Sequence, residues 1–288
     1  MNYEQFICAM LECTRNKLFE TEVVERQEVL KNNGIVMVGL SIRNLEKNAA
    51  PVIYLDEYYN AYLKGRPLED LSECLVEKSR KTPELPQWER DMLLDFSMLK
   101  DKIVYKLVNA QENKKLLKEA PNLPLLDFAI VFYLHLPISE AESGTILIRN
   151  EHLKLWNCPI SRLYEYAKKN TPRICPPMLC PLTALIEAAG EVWEEECPIL
   201  VLTNETGVYG ATDILYQEIP QLIYQEVGGN YYLLPSSIHE FLIVPEREDA
   251  VPGELRAIVR EVNRTEIAKE EFLSDQIYYF NGEIITKM

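Results

Sequence analysis

Two serines, a histidine and a glutamate lie within five residues of one another in the apolar segment LLPSSIHEFLIVP, at positions 233–245. Hydrolases use a serine hydroxyl beside a histidine base as a nucleophile, with a carboxylate that orients the base. Here Ser236 or Ser237 would be the nucleophile, His239 the base, and a distant residue such as Asp213 the carboxylate. These residue types therefore raise the hypothesis of a hydrolase-like enzyme.

The pattern around this cluster favours a structural or binding role over catalysis. We predict strands at 231–234 and 238–244, with Ser236 and Ser237 satisfying the turn between them. Successive side chains of a strand point to opposite faces, so His239 and Glu240 could not pair as base and orienting acid. The chain also has no G-x-S-x-G motif, which would present a serine at a strand-to-helix turn. The binding role and the hydrolase hypothesis both stay open.

The other histidines and the cysteines give no recognisable metal motif. His152, near a predicted helix start, is expected to pack or cap, with its pKa lowered by the helix dipole. Cys175 and Cys180 have the spacing of zinc ligands, but two prolines between them stiffen the loop. Glu240 is not followed by the second histidine of H-E-x-x-H, and the glycine-rich phosphate-binding motifs are absent. We predict no metal and no cofactor.

Composition and charge are typical of a globular cytoplasmic protein. The chain has 288 residues, of which 47% are hydrophobic, and its net charge of −15 disfavours binding to nucleic acid. The N-terminus lacks the basic and apolar regions of a signal peptide, and the longest apolar stretch, 123–138, is short for a membrane span. Seven cysteines, an odd number, are typical of a reducing compartment. We predict a cytoplasmic protein that binds neither nucleic acid nor a membrane.

Hairpin signals among the strand and helix patterns predict an α+β fold with mixed, largely antiparallel sheets and flanking helices. We expect a hairpin-plus-helices lobe over 1–120 and a larger α+β lobe over 121–288, which could pack as one continuous domain. The elements expected in the first part are a helix at 2–16, strands at 21–31 and 35–44 joined by Asn32-Asn33-Gly34, a short strand at 51–55, a helix capped by Asp56, helices at 67–80 and 88–99, a strand at 103–108 and a helix at 111–119.

The second part is predicted to alternate strands with proline- and glycine-bounded helices. The strand at 125–136 lacks polar alternation, so it should be covered on both faces and should bury Asp127 and His135. Its other expected elements are a strand at 145–148, helices from Asn150 and over 160–169, a stiff crossover at 171–181, a hairpin of 199–202 with 208–211, a helical stretch from Asp213 that restarts at Pro220 and ends at Gly228-Gly229, a helix at 252–263 and a strand at 274–280.

Five separated motifs together resemble one bacterial family. They are YKLVN, PLLDFAIVFY, ILIRNEHLKLW with LYEYAKKNTPR, YLLPSSIHEFLIVP, and REVNRTEIA with LSDQIYYF. In this order they resemble the family called domain of unknown function 5688, and the resemblance extends through nearly the whole chain. It implies a cytoplasmic bacterial protein without an assigned activity. The motif CPPMLC and Pro159, where the family often has a helix-capping threonine, depart from the family pattern.

Taken together, these patterns favour a non-catalytic binding or adaptor module, with another protein as the expected partner. The reasons are the negative charge, the 16 tyrosines and the lack of a complete catalytic set. The alternative is the hydrolase-like enzyme that would use His239 with Ser236 or Ser237. The residues predicted to take part in binding are Ser236, Ser237, His239, Glu240, His152 and Trp156.

Overall fold

The computed structural model describes residues 1–45, 50, 52–81, 95–137, 143–192, 197–247 and 250–288. Its helices and its largely antiparallel sheets confirm the α+β class. The chain divides into two compact units, one of residues 1–31 and 35–91 and one of residues 32–34 and 92–288. Among the described residues, no helix is long and apolar enough to cross a membrane.

In its described residues, the first unit combines three helices with a three-stranded antiparallel sheet. Its strands are β1 (Glu22–Leu30), β2 (Val36–Asn44) and β3 (Val52–Tyr54), in the order β1-β2-β3. Its helices are α1 (Tyr3–Arg15), α2 (Asp56–Leu63) and α3 (Leu68–Lys81). The apolar faces of these elements form one core, in which Phe6, Met10, Leu40 and Leu75 are fully buried.

Local sequence signals explain where most of these elements begin and end. Asn2 and Gln5 cap α1 reciprocally, since each side chain accepts a hydrogen bond from the other residue's backbone N–H. Asn33 and Gly34 both have positive φ, as the hairpin prediction requires. The prediction for Asp56 was wrong: it is the first residue of α2, and the capping position belongs to Leu55.

The second unit contains two sheets and the remaining helices. Its strands are β4 (Ile103–Asn109), β5 (Asn122–Leu125), β6 (Phe128–Pro137), β7 (Ser143–Leu147), β8 (Pro177–Pro181), β9 (Leu200–Asn204), β10 (Tyr231–Pro235), β11 (Phe241–Pro245), β12 (Tyr278–Phe280) and β13 (Ile285–Lys287). Its helices are α4 (Phe96–Leu99), α5 (Lys114–Glu119), α6 (Asn150–Leu155), α7 (Ile160–Ile174), α8 (Leu182–Ala188), α9 (Ile219–Val227) and α10 (Pro252–Thr265), with 3-10 turns at Asn32–Gly34, Lys100–Lys102 and Gly210–Leu215.

The larger sheet has the order β13-β12-β10-β11-β9-β8, and in the smaller sheet β6 pairs with β4, β5 and β7. Alternation along β10 gives the larger sheet two buried faces. Tyr231 and Leu233 enter the main core, whereas Tyr232 and Leu234 pack with Val259 of α10. Residues 95–120, which the sequence pattern grouped with the first lobe, lie in the second unit because β4 pairs along its length with β6.

Several predicted elements of the second unit differ from the structure. Residues Phe128–Leu134 are buried as expected, but Asp127 lies in the turn before β6 and not inside a covered strand. The segment 171–181 is not a crossover: α7 continues through Pro172, and residues 177–181 form the edge strand β8. An edge strand tolerates proline because one side of its backbone needs no ladder hydrogen bond. The predicted helix at 88–99 lies partly outside the described residues.

Two further corrections concern the region around the serine–histidine cluster. Residues 208–211 do not pair with β9 as a hairpin, since Gly210–Leu215 forms a 3-10 turn. The second strand begins at Phe241 and not at 238, which leaves residues 236–240 as a loop between β10 and β11. The strand alternation argument that separated His239 from Glu240 therefore does not apply, because neither residue is in a strand.

Candidate functional site

The loop between β10 and β11 is closed by its own hydrogen bonds. The backbone N–H groups of Ser236 and Ser237 donate to the carbonyl of Glu240 at 3.3 and 3.4 Å. The hydroxyl oxygen of Ser237 accepts the backbone N–H of His239 at 2.9 Å. A serine hydroxyl that accepts the backbone N–H two residues later is typical of a turn. The structure thus brings Ser236, Ser237, His239 and Glu240 together, with Ser237 buried and the other three partly exposed.

The ring of His239 is held by groups other than the serines. Its Nδ1 accepts the backbone N–H of Tyr209 at 3.1 Å, and its Nε2 lies 3.6 Å from a carboxylate oxygen of Glu271. Because Nδ1 is an acceptor, the neutral ring carries its proton on Nε2. Within the described part of the chain, no serine hydroxyl is hydrogen-bonded to the ring. The loop therefore does not show the nucleophile–base contact that is typical of serine hydrolases.

Tyr209 is the residue that this histidine positions. Its φ of 58° and ψ of 25° place it in the left-handed region, which costs about 1 kcal/mol or more for a residue with a side chain. The tyrosine ring stacks on the His239 ring, with centroids 5.9 Å apart, and lies 4.2 Å from Nζ of Lys106. Gly210 follows in a tight space, where an added Cβ would lie 2.5 Å from the His239 carbonyl oxygen. Histidine and glycine together fix the start of the Gly210–Leu215 turn.

Asp213, the carboxylate considered for a catalytic set, lies in this turn and is fully buried. Neither of its carboxyl oxygens has a hydrogen-bond partner among the described residues. Burial raises the pKa of Asp213 to about 8. The hydroxyl of the nearby Tyr216 donates its proton to the carbonyl of Cys175 at 3.0 Å and not to the Asp213 carboxyl. Asp213 is therefore a neutral acid at neutral pH, and among the described residues no hydrogen bond joins it to His239.

Two cavities are lined by residues of the segment that continues from this turn into α9. The first, which we call the aromatic cavity, has a volume of about 450 Å³. Its lining residues are Leu125, Leu126, Phe128, Ile214, Leu215, Gln217, Pro220, Gln221, Leu233, Phe241, Tyr278, Phe280, Glu283, Ile284 and Ile285. The second, of about 470 Å³, is lined by Tyr105, Glu165, Lys168, Lys169, Pro172, Pro177, Tyr216, Gln217, Glu218 and Ile219. Gln217 lines both cavities.

The inner wall of the aromatic cavity is built from rings that pack in tilted and perpendicular pairs. The Phe128 and Tyr278 centroids are 4.9 Å apart, and the Phe241 ring is perpendicular to Tyr278 at 6.2 Å. All three rings are almost completely buried, so their positions do not depend on a ligand. Such offset and perpendicular pairs add about 0.5–1.5 kcal/mol each beyond the burial of their area. The cavity wall is therefore preformed.

A polar network anchors one end of this wall. Tyr278 donates its hydroxyl proton to Oδ1 of Asp127 at 2.7 Å, and the Ser274 hydroxyl donates to Oδ2 at 2.9 Å. Asn263 donates to the Ser274 carbonyl and to the Asp275 carboxylate. This network explains why Asp127 tolerates its position beside the core. It also gives a structural role to three residues of the LSDQIYYF motif.

His152 and Trp156, the other predicted binding residues, lie at the two ends of α6. Their rings stack with centroids 5.3 Å apart, and Trp156 also contacts Phe96. His152 caps the helix, since its Nδ1 accepts the backbone N–H of Arg149 at 3.1 Å. Its pKa is lowered as predicted, but burial is the main cause, and the charge of Arg149 is a smaller one. The rings of His152 and Trp156 thus pack with each other, and Trp156 packs with Phe96 of α4; none of these three residues belongs to the β10–β11 loop.

The described ranges contain no group of three or more His, Cys, Asp or Glu side chains that could hold a metal ion. Of the predicted zinc-spaced cysteines, Cys175 is buried, and burial raises the pKa of its thiol to about 11. Its sulfur is therefore protonated at neutral pH, which makes it a poor nucleophile and a poor ligand.

Sequence reasoning missed the aromatic cavity, Tyr209 and Lys106. One signal for the cavity was present, because inward residues alternate in strands near its wall: Leu233 in β10, Phe241 in β11, and Tyr278 with Phe280 in β12. That signal shows which residues face a core, but not that the core leaves a space. Tyr209 carries no local signal, since its left-handed backbone depends on a histidine 30 residues away.

Comparison with known proteins gives a family and no individual relative. No curated protein matches the chain, and no solved structure matches it. The model of one family of unknown function matches residues 3–282, which is almost the entire sequence. The chain therefore belongs to the family of unknown function DUF5688.

Proposed function

We propose that this chain is a non-catalytic binding module that takes a small apolar molecule into the aromatic cavity. The observation that carries the proposal is the preformed wall of buried rings around a volume of about 450 Å³. Ligand cavities of proteins usually have volumes of about 300–1,000 Å³ and are mostly apolar with a few polar groups. Gln217, Gln221 and Glu283 supply such polar groups here.

Exposed apolar side chains at the cavity rim support the proposal. Leu126 and Ile284 are exposed to 48% and 59%, although both line the cavity. A ligand that covered them would gain about 25 cal/mol for each Å² of apolar surface removed from water. Leu126 also has a φ of 53°, a strained conformation that places an apolar side chain at the rim where glycine would be easier to accommodate.

The contacts of His239 favour binding over the hydrolase-like alternative. Both ring nitrogens face groups of other elements, and the Ser237 hydroxyl oxygen is used by the loop backbone. In this arrangement the cluster positions Tyr209 and, through it, the turn whose last two residues line the aromatic cavity. We therefore assign Ser236, Ser237, His239 and Glu240 a supporting role for the cavity.

A protein partner is the second candidate ligand, because the exposed Leu126 and Ile284 could also accept an apolar side chain of another chain. We further propose that the protein acts in the bacterial cytoplasm and does not bind nucleic acid. The odd number of cysteines and the net charge of −15 support these two proposals.

Fluorescence titration with a neutral, environment-sensitive naphthalene dye tests the proposal. We expect saturable binding by the full chain and weaker binding by Ile284→Asn, which puts a polar amide at the rim. The matched control is Ile258→Asn, because Ile258 is exposed to a similar extent, 56%, but does not line the cavity. Equal loss of binding in both variants, or no saturable binding by the unmodified chain, would refute the assignment of the aromatic cavity.

A further inference from the structure

The aromatic cavity has a one-sided distribution of charge. Among its described lining residues, Glu283 is the only one with a charged side chain at neutral pH, and no lysine, arginine or histidine lines the cavity. The phenol of Tyr278 is not available as an acid, because its proton is donated to Asp127 and burial raises its pKa well above the usual range. A ligand in this cavity therefore meets a carboxylate and no cation from the wall.

The backbone that carries Glu283 is held in place in the turn between β12 and β13. The side-chain oxygen of Asn281 accepts the backbone N–H groups of both Glu283 and Ile284 at 3.0 Å. Gly282, which lies between Asn281 and Glu283, has a φ of 90°, and an added Cβ there would lie 3.1 Å from the Tyr224 ring. Packing and hydrogen bonds thus fix this turn at the cavity, with the Glu283 side chain exposed to solvent.

We infer that the ligand is an apolar amine, with an aromatic or aliphatic body in the cavity and an ammonium group beside Glu283. The inference rests on the proposed binding function and adds the chemical class of the ligand. An ammonium group has three N–H donors, and the cavity offers three side-chain acceptors, the Glu283 carboxylate and the amide oxygens of Gln217 and Gln221.

Charge also disfavours amphipathic ligands that have an anionic head group. A carboxylate head group would be repelled by Glu283 and would find no cationic side chain among the described residues of the cavity wall. The net charge of −15 acts in the same direction at longer range, since it attracts cations and repels anions at low ionic strength. An uncharged alcohol of the same shape should bind with an intermediate affinity.

Isothermal titration of the full chain with 4-phenylbutylamine, 4-phenylbutanol and 5-phenylpentanoate separates the contributions of body and head group. These probes share one apolar body and differ only in the head group. We expect the amine to bind more tightly than the alcohol by about two- to fivefold, the range of a solvent-exposed ion pair, and the carboxylate to bind most weakly. Higher salt should reduce the difference between amine and alcohol.

The variant Glu283→Gln removes the charge and keeps the side-chain size. We expect it to bind amine and alcohol with equal affinity, while its affinity for the alcohol stays that of the unmodified chain. The control Glu226→Gln makes the same change in net charge at an exposed position of α9 outside the cavity lining, and it should keep the preference for the amine.

The outcomes distinguish the ligand class from the binding function. Equal binding of all three probes by the unmodified chain would overturn the inference of an amine and leave the cavity as a binding site. A preference for the amine that persists in Glu283→Gln would overturn the role of Glu283. Absence of binding by all three probes would overturn both the inference and the proposed function.

Discussion

The backbone N–H of Tyr209 donates to Nδ1 of His239 at 3.1 Å, and the two rings stack face to face with an angle of 13° between their planes. This contact joins the β10–β11 loop to the start of the Gly210–Leu215 turn. It gives the most conspicuous histidine of the sequence a definite task, which is to hold a neighbouring residue in a left-handed conformation. The hydrogen bond and the stacking together offset the strain of that conformation.

The variant His239→Ala should destabilise the second unit by about 1–3 kcal/mol, because it leaves the Tyr209 N–H without its acceptor. His239→Asn should cost less, since an asparagine oxygen can take the place of Nδ1. Urea denaturation of both variants measures the difference. Equal stability of the two variants would show that the acceptor at this position does not matter.

Replacing Gly210 by alanine should destabilise the protein by about 1–3 kcal/mol through overpacking. The added Cβ would lie 2.5 Å from the His239 carbonyl oxygen and from the Thr203 hydroxyl, and 2.7 Å from the Asn204 backbone nitrogen. Gly253→Ala is the control, because nothing lies within 4 Å of that position in α10 and alanine favours helices by up to about 1 kcal/mol. Thermal melting should therefore shift down for the first variant and up or not at all for the second.

Asp213 should make stability depend on pH, because its pKa is about 8 in the folded chain and 3.8 as the unperturbed value. The folded state binds the proton more tightly, so the contribution of this group to stability is fully present below pH 4 and is lost as pH rises to about 8. Asp213→Asn removes this dependence. The free energy of unfolding of the unmodified chain, minus that of the variant, should decrease from pH 5 to pH 8 and then level off above pH 8.

If this difference in the free energy of unfolding stays constant from pH 5 to pH 8, it contradicts the conclusion that Asp213 is buried as a neutral acid. The opposite slope would mean that Asp213 is stabilised as a carboxylate in the folded chain. Circular dichroism melts in overlapping buffers are sufficient, since both proteins share every other titrating group and only the difference is used.

Tyr278→Phe should lower stability by about 1–3 kcal/mol and leave apolar binding intact. The change removes the hydroxyl that donates to Asp127 at 2.7 Å, but it keeps the ring on the wall of the aromatic cavity. Guanidine denaturation and titration with the naphthalene dye report the two effects separately. Loss of dye affinity at full stability would indicate that the hydroxyl serves the ligand rather than the wall.

Elements whose signals are local could be predicted from the sequence. The apolar spacing of Phe6 and Met10 indicated α1, and Asn33-Gly34 indicated the turn between β1 and β2. Gly228, with its φ of 76°, ends α9 as predicted. Each of these signals involves residues a few positions apart, and the same hydrogen bonds would be available to the isolated segment.

Elements that depend on partners from distant sequence could not be predicted. The apolar run at 238–244 suggested a longer strand, but the His239 carbonyl accepts from Thr203 and the Ile238 N–H donates to Glu271, which ends the ladder at Phe241. Likewise, Pro177–Pro181 is a strand only because β9 lies beside it. In both cases the partner strand or loop decides the conformation, and the local residue types do not.

By itself, the sequence determined the α+β class, the main helix ends, the hairpin turn and the resemblance to a family, because periodicity, turn residues and motif order are properties of the chain. Only the tertiary structure decided that His239 accepts a hydrogen bond from a backbone N–H, that Asp213 is buried, and that rings from β6, β11 and β12 line a cavity. These are relations between residues 30 to 150 positions apart, such as Phe128 and Tyr278, and no local pattern specifies the distance between them.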